Sequence, residues 1–264
     1  MAPVSSPGRR DFLKLASACA AHLTLMAAPF PLSARAGWSS RAQGRVAARE
    51  PFGRLETLGE GLWAFISTPL GGDYTTVCNG GIIAGNHGTL VVEAFQTPEG
   101  AGWMARRARE LTGRWPTHVL VTHYHGDHSN GVPGFFRSSE GDPSQVPVEG
   151  EETPSLRTTP TTRRLKQESF PDDADQDIRA LWADVVPVTE DAPSTLDLGN
   201  RVVEVTPRLG HTPSDLSLAL PDEGVLWCGD LVWNGMFPNY MDAIPSQLSR
   251  AVREIRGRGA ELFI

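Results

Sequence analysis

Four residues within six positions, His123, His125, Asp127 and His128 in T-H-Y-H-G-D-H-S-N-G (122–131), concentrate the reactive side chains of this chain. The whole sequence holds seven histidines, and three of them stand here. In an extended segment alternate side chains face the same way, so His123 and His125 can grip one cation together. Gly126 permits a sharp turn, after which Asp127 and His128 can point toward a second position nearby. Neutral imidazole suits zinc, iron or nickel, and a carboxylate compensates the charge of the ion.

A metal site draws ligands from several parts of a chain, and two more segments fit. R-L-G-H-T-P-S-D (208–215) presents His211 just after a strand-like run and a glycine, and L-W-C-G-D-L-V (226–232) presents Asp230 at the end of an apolar strand. Strand ends are where a rigid scaffold aims side chains well. His87, in the turn-like G-N-H-G-T, and His118, at the start of a strand, read as structural.

The elements that must carry these residues alternate along the chain. Runs at 63–67, 77–85, 89–94 and 117–122 read as strands, the last leading straight into the histidine cluster. P-E-G-A-G-W-M-A-R-R-A-R-E-L-T-G (98–113) reads as an amphipathic helix closed by Gly113. A loop-rich stretch follows at 137–161, then helices over 162–169 and 173–183. Strands near 201–206, 215–220 and 225–229 come next, then a helix over 245–257 and a last strand, E-L-F-I, at 261–264. The site needs both halves, so 37–264 is read as one domain.

The first 36 residues read differently. Arg9 and Arg10 precede an apolar run at 15–28 that is too short to span a bilayer, and Ala34-Arg35-Ala36 offers a small-x-small cleavage site. The order of charge, apolar run and cleavage site resembles a twin-arginine export signal. It implies the twin-arginine machinery as a partner, a periplasmic or secreted mature protein, and no stable membrane anchor. With 24 basic against 31 acidic residues the chain carries a net charge of −7, which argues against a nucleic-acid footprint. A small molecule is the expected substrate. Cys78 and Cys228 sit inside strand-like runs and read as buried thiols rather than a disulfide.

H-Y-H-G-D-H, then G-H-T, then C-G-D resembles the metallo-β-lactamase-fold superfamily of metallohydrolases, over nearly all of the chain beyond residue 55. The resemblance implies an α/β architecture, a four-layer αβ/βα sandwich with metals at one edge of two sheets. It assigns His123, His125 and His211 to a first metal, Asp127 and His128 to a second, and Asp230 to both. Asp127 would also orient the nucleophile and handle its proton. The implied chemistry is hydrolysis with two zinc ions, whose bound water ionises near neutral pH. A carboxylate at Asp230, where β-lactamases of this superfamily generally carry Cys or Ser, points to an ester, lactone or thioester ahead of a β-lactam. A mononuclear iron dioxygenase and a non-catalytic metal-binding protein are the alternatives on the same fold. The family pattern adds a final histidine after the last strand. The sequence stops at Ile264, about where that strand ends, so either more chain follows or the second site has one ligand fewer.

Overall fold

A computed structural model of the chain describes residues 45–136, 153–235 and 237–264. The expected export signal and most of the expected loop-rich stretch lie outside these residues. Thirteen strands among the described residues form two sheets. The larger holds eight in chain order: β1 (Arg45–Glu50), β2 (Gly53–Gly59), β3 (Leu62–Ser67), β4 (Gly80–Ala84), β5 (Thr89–Val92), β6 (His118–Leu120), β7 (Ser155–Thr158) and β8 (Val186–Pro187). Its first five are an antiparallel meander, and β5 to β8 pair in parallel. The smaller sheet runs β13 (Leu262–Phe263), β12 (Val225–Trp227), β11 (Asp215–Leu220), β10 (Val202–Arg208), β9 (Ser194–Asp197), with only the β12–β13 pair parallel.

The period-two alternation of strands sorts side chains into three apolar layers. Leu62, Ile83, Leu90, Val92 and Leu120 face the smaller sheet and meet Val203, Val205, Leu216, Leu218, Leu220 and Trp227. Their neighbours Phe65, Ile82, Val91, Val119 and Val121 face the other way, packing with Trp103, Met104 and Ala108 of α1 (Pro98–Thr112). Beyond the smaller sheet, Ala219, Leu226 and Cys228 meet Leu248, Ala251 and Ile255 of α5 (Pro245–Gly257). Helix, sheet, sheet, helix is the four-layer sandwich the sequence implied. Trp227 explains the G-G of β4: its indole Nε1 donates to Gly80 O at 2.9 Å, and a Cβ on Gly81 would lie 2.7 Å from its ring.

The expected helices at 98–113 and 245–257 form within one residue of those bounds. The pair expected at 162–169 and 173–183 appear as α3 (Pro160–Glu168) and α4 (Gln176–Ala183), capped by Thr159 and Asp175. The strand expected from 77 begins only at Gly80. Val77 is left-handed at φ 64° and Cys78 N bonds Thr76 O at 2.8 Å, a tight turn that ends pairing there. Strand β7 forms inside the stretch expected to be loop, and β1, β2, β8 and β9 were not expected at all. Cys78 and Cys228 are free and buried, as expected.

Candidate metal centre

Histidines 123, 125 and 128 follow β6, with His125 leading into the single helical turn α2 (Gly126–Ser129). His211 lies in the turn between β10 and β11, and Asp230 follows β12 in a 3-10 turn. The two sheets bring these residues to one edge. Leu216 N bonds Thr122 O at 3.0 Å, so β11 is tied directly to the segment that carries the cluster. Gly229 makes the approach of Asp230 possible: its φ is 52°, and a Cβ there would lie 2.8 Å from Thr122 Oγ1.

Two groups of ligand atoms result, each within 4.8 Å of one another: His123, His125 and His211, and His123, His128 and Asp230. In the first, His125 Nδ1 is 3.1 Å from His123 Nε2 and 3.0 Å from His211 Nε2. Asp230 spans the groups, with Oδ1 3.1 Å from His128 Nε2 and Oδ2 3.4 Å from His211 Nε2. Asp127 stands at the rim of the second group, its Oδ2 3.5 Å from His128 Nε2, and belongs to neither set. His87 and His118 lie elsewhere, at a turn beside Leu198 and at the amino end of β6.

Hydrogen bonding on the outer ring atoms fixes what faces inward. Thr122 Oγ1 donates to Glu93 Oε1 at 2.6 Å, which leaves its lone pair to accept from His123 Nδ1–H at 3.0 Å. His125 Nε2–H donates to Asp242 Oδ2 at 2.9 Å, a carboxylate that can only accept. His123 Nε2 and His125 Nδ1 are therefore both bare lone pairs, pointed at each other across 3.1 Å. With both rings neutral that contact is repulsive, and a cation between them, a metal ion or a shared proton, relieves it. Tetrahedral zinc with nitrogens at about 2.0–2.1 Å separates its ligands by roughly 3.3 Å, close to the spacing found. In the second group His128 is buried, and neither ring nitrogen has a hydrogen-bond partner among the described residues despite carboxylates at 3.1 Å. Both groups fit a metal.

The electrostatics agree. Burial, reinforced by His128, His211 and His125, holds His123 well below the usual imidazole range, so it stays neutral and able to bind. Burial disfavours charge on His128 too, yet Cys78, Glu93, Asp230 and Asp127 around it raise it well above that range. A pocket that draws a proton onto His128 is one that favours a positive charge.

Supporting residues surround the groups. Buried Glu93, at φ 73°, reaches both Thr122 and His128. A left-handed non-glycine residue costs of order 1–3 kcal/mol and persists only where surroundings enforce it. Asp215 accepts from His211 N and Thr212 N at 3.1 Å and from Thr212 Oγ1 at 2.8 Å, which fixes the turn that presents His211. Lys166 donates to Asn130 Oδ1 at 2.5 Å behind Asp127, and burial lowers it to about 8. Trp233 donates to Asp230 O at 2.7 Å and stands 6.2 Å from the His211 ring. Sequence reading flagged none of Glu93, Asp215 or Asp242. A carboxylate ending the apolar run T-L-V-V-E-A was the available signal for Glu93.

Residues 73–264 match the family model described as "Metallo-beta-lactamase superfamily". The chain belongs to that superfamily. No curated protein matches it. Among solved structures, a metallo-beta-lactamase from Erythrobacter litoralis is 18% identical with a TM-score of 0.59, over 81% of this chain and 87% of the other. One from Hirschia baltica is also 18% identical at 0.59, over 80% and 89%. FIM-1 from Pseudomonas aeruginosa, in a mono-zinc form, is 15% identical at 0.59, over 85% and 89%. At these identities the likeness is one of fold. Among the described residues no helix is long and apolar enough to cross a membrane.

Proposed function

We propose that this member of the superfamily is a zinc-dependent hydrolase of an ester, lactone or thioester. The observation that carries the reading is Asp230, whose two carboxylate oxygens face His128 and His211 separately and so join the two groups. A carboxylate spanning both groups is the arrangement expected of esterase-type members rather than of the β-lactamases. Cys228 supports this by its position. It lies in the apolar layer against α5, with its thiol raised to about 12 by burial, and so supplies no thiolate.

Zinc at such a site lowers the pKa of a water to near neutrality and polarises a carbonyl oxygen. The chain supplies the rest. His123, His125 and His211 would hold the first ion, and His128 and Asp230 the second. Asp127, a third exposed and beside His128, would orient the attacking water and accept its proton. Lys166, tied to Asn130, sets a positive charge behind Asp127. Trp233 walls the His211 side.

The test is turnover by the zinc-loaded protein on three chromogenic reporters: a thioester, a lactone and a β-lactam. Thioester or lactone hydrolysis should exceed β-lactam hydrolysis by at least tenfold, about 1.4 kcal/mol of transition-state preference. A β-lactam as the best substrate, or no turnover of any of the three, would overturn the reading.

A further inference from the structure

The three histidines of the first group differ in what holds their outer nitrogens. His123 leans on the neighbouring Thr122, and His211 Nδ1 has no partner among the described residues. His125 is held from far along the chain: Asp242 Oδ2, 117 positions away, accepts from His125 Nε2 at 2.9 Å. The same oxygen accepts from the Tyr124 hydroxyl at 2.6 Å. Asp242 belongs to the segment 237–244, which exposes Phe237 and Met241 by 84% and 86%. Two attachments bring that segment to the metal centre. One is Asp242; the other is Ile244 N, which bonds Gly210 O at 2.8 Å beside His211. One attachment thus reaches His125 itself, and the other reaches the residue before His211.

Resting on the metal reading above, we propose that Asp242 is a positioning residue for the first metal. It fixes the tautomer and aim of His125, and through Tyr124 and His125 it links the order of segment 237–244 to occupancy of that site. The direction follows from the bonds. A carboxylate on Nε2 keeps the proton there and leaves Nδ1 bare and more basic toward a cation. A cation at Nδ1 in turn makes Nε2–H a stronger donor and tightens its bond to Asp242. Coupling of this kind is reciprocal: whatever the segment adds to metal affinity, the metal adds to the segment's order. The Asp242 carboxylate is more than a third exposed, so water can partly replace it. The loss on removing it should therefore sit at the lower end of the 10–100-fold range seen for such outer partners.

Two readouts on the full-length protein test this: the zinc dissociation constant by competition with a chromogenic chelator, and amide hydrogen exchange of 237–244 with and without zinc. Asp242→Ala should weaken zinc about tenfold, Asp242→Asn less because its amide oxygen still accepts, and Tyr124→Phe least. In the wild type zinc should slow exchange across 237–244, and in Asp242→Ala that zinc-dependent slowing should vanish. A residue that merely packs the loop would raise exchange equally with and without zinc. Wild-type affinity in Asp242→Ala, or undiminished zinc protection of its loop, overturns the inference and leaves the metal site standing. A wild type that binds no zinc overturns the metal reading and this inference with it.

Discussion

At the scale of single residues, the site works by committing each imidazole to one job. Thr122 and Asp242 take the outer hydrogens of His123 and His125, and Glu93 stands beside His128, so bare nitrogens face inward. Glu93 acts on two ligands at once, through Thr122 and beside His128. Glu93→Gln keeps the volume but removes the charge, and should weaken metal binding by about 10–100-fold. Chelator competition measures it; an unchanged dissociation constant would show Glu93 to be a packing residue only. The histidines of the two groups were legible because histidine is scarce in this chain and its spacing matches strand and turn geometry. Glu93, Asp215 and Asp242 were not, since their partners arise only from folding. Asp242 reaches residues more than a hundred positions away, from a loop with no pattern of its own. Asp127 was legible as part of the cluster, and the turn at Gly126 sets its Oδ2 3.5 Å from His128 Nε2, at the rim of the second group.

At the scale of elements, what could be read was what carries a strong period. Helices α1 and α5 and strands β3 and β11 emerge from the sequence nearly in register, because their apolar faces repeat cleanly. The missed strands are short or weakly apolar. S-L-R-T of β7 buries one apolar side chain, Leu156, and forms because parallel pairing to β6 completes the sheet. That pairing places His118, at the amino end of β6, against Ser155 Oγ at 2.7 Å and beside Arg157. Burial, helped by Arg157, lowers His118 to about 4. An unfolded imidazole titrates near 6.5. Between pH 6.5 and about 4 the unfolded chain thus holds a proton that the folded chain does not, and stability is lost as pH falls through this window. His118→Gln should remove that share of the loss. Urea midpoints of both proteins at pH 7 and pH 5 measure it, and an equal drop in the two would contradict the assignment.

At the scale of the whole molecule, the centre is a seam between two sheets. The larger sheet delivers His123, His125, His128 and Glu93 from the ends of β5 and β6. The smaller delivers His211 and Asp230 from the ends of β10 and β12. The fold class was legible through a resemblance, that of H-Y-H-G-D-H, G-H-T and C-G-D to the motifs of the metallo-β-lactamase superfamily. The layering itself rests on alternation within strands, visible once Ile82 and Ile83 are seen to face opposite ways. A cation held across this seam binds only the folded chain, so it should stabilise the protein by mass action. The central claim is that these residues hold a metal, and zinc content reads it most directly. After dialysis against zinc and then zinc-free buffer, elemental analysis of the wild type should find at least one zinc per chain. His87→Ala should retain it, and His123→Ala, which removes the nitrogen shared by both groups, should hold almost none. A zinc-free wild type, or His123→Ala holding as much zinc as His87→Ala, would contradict the account.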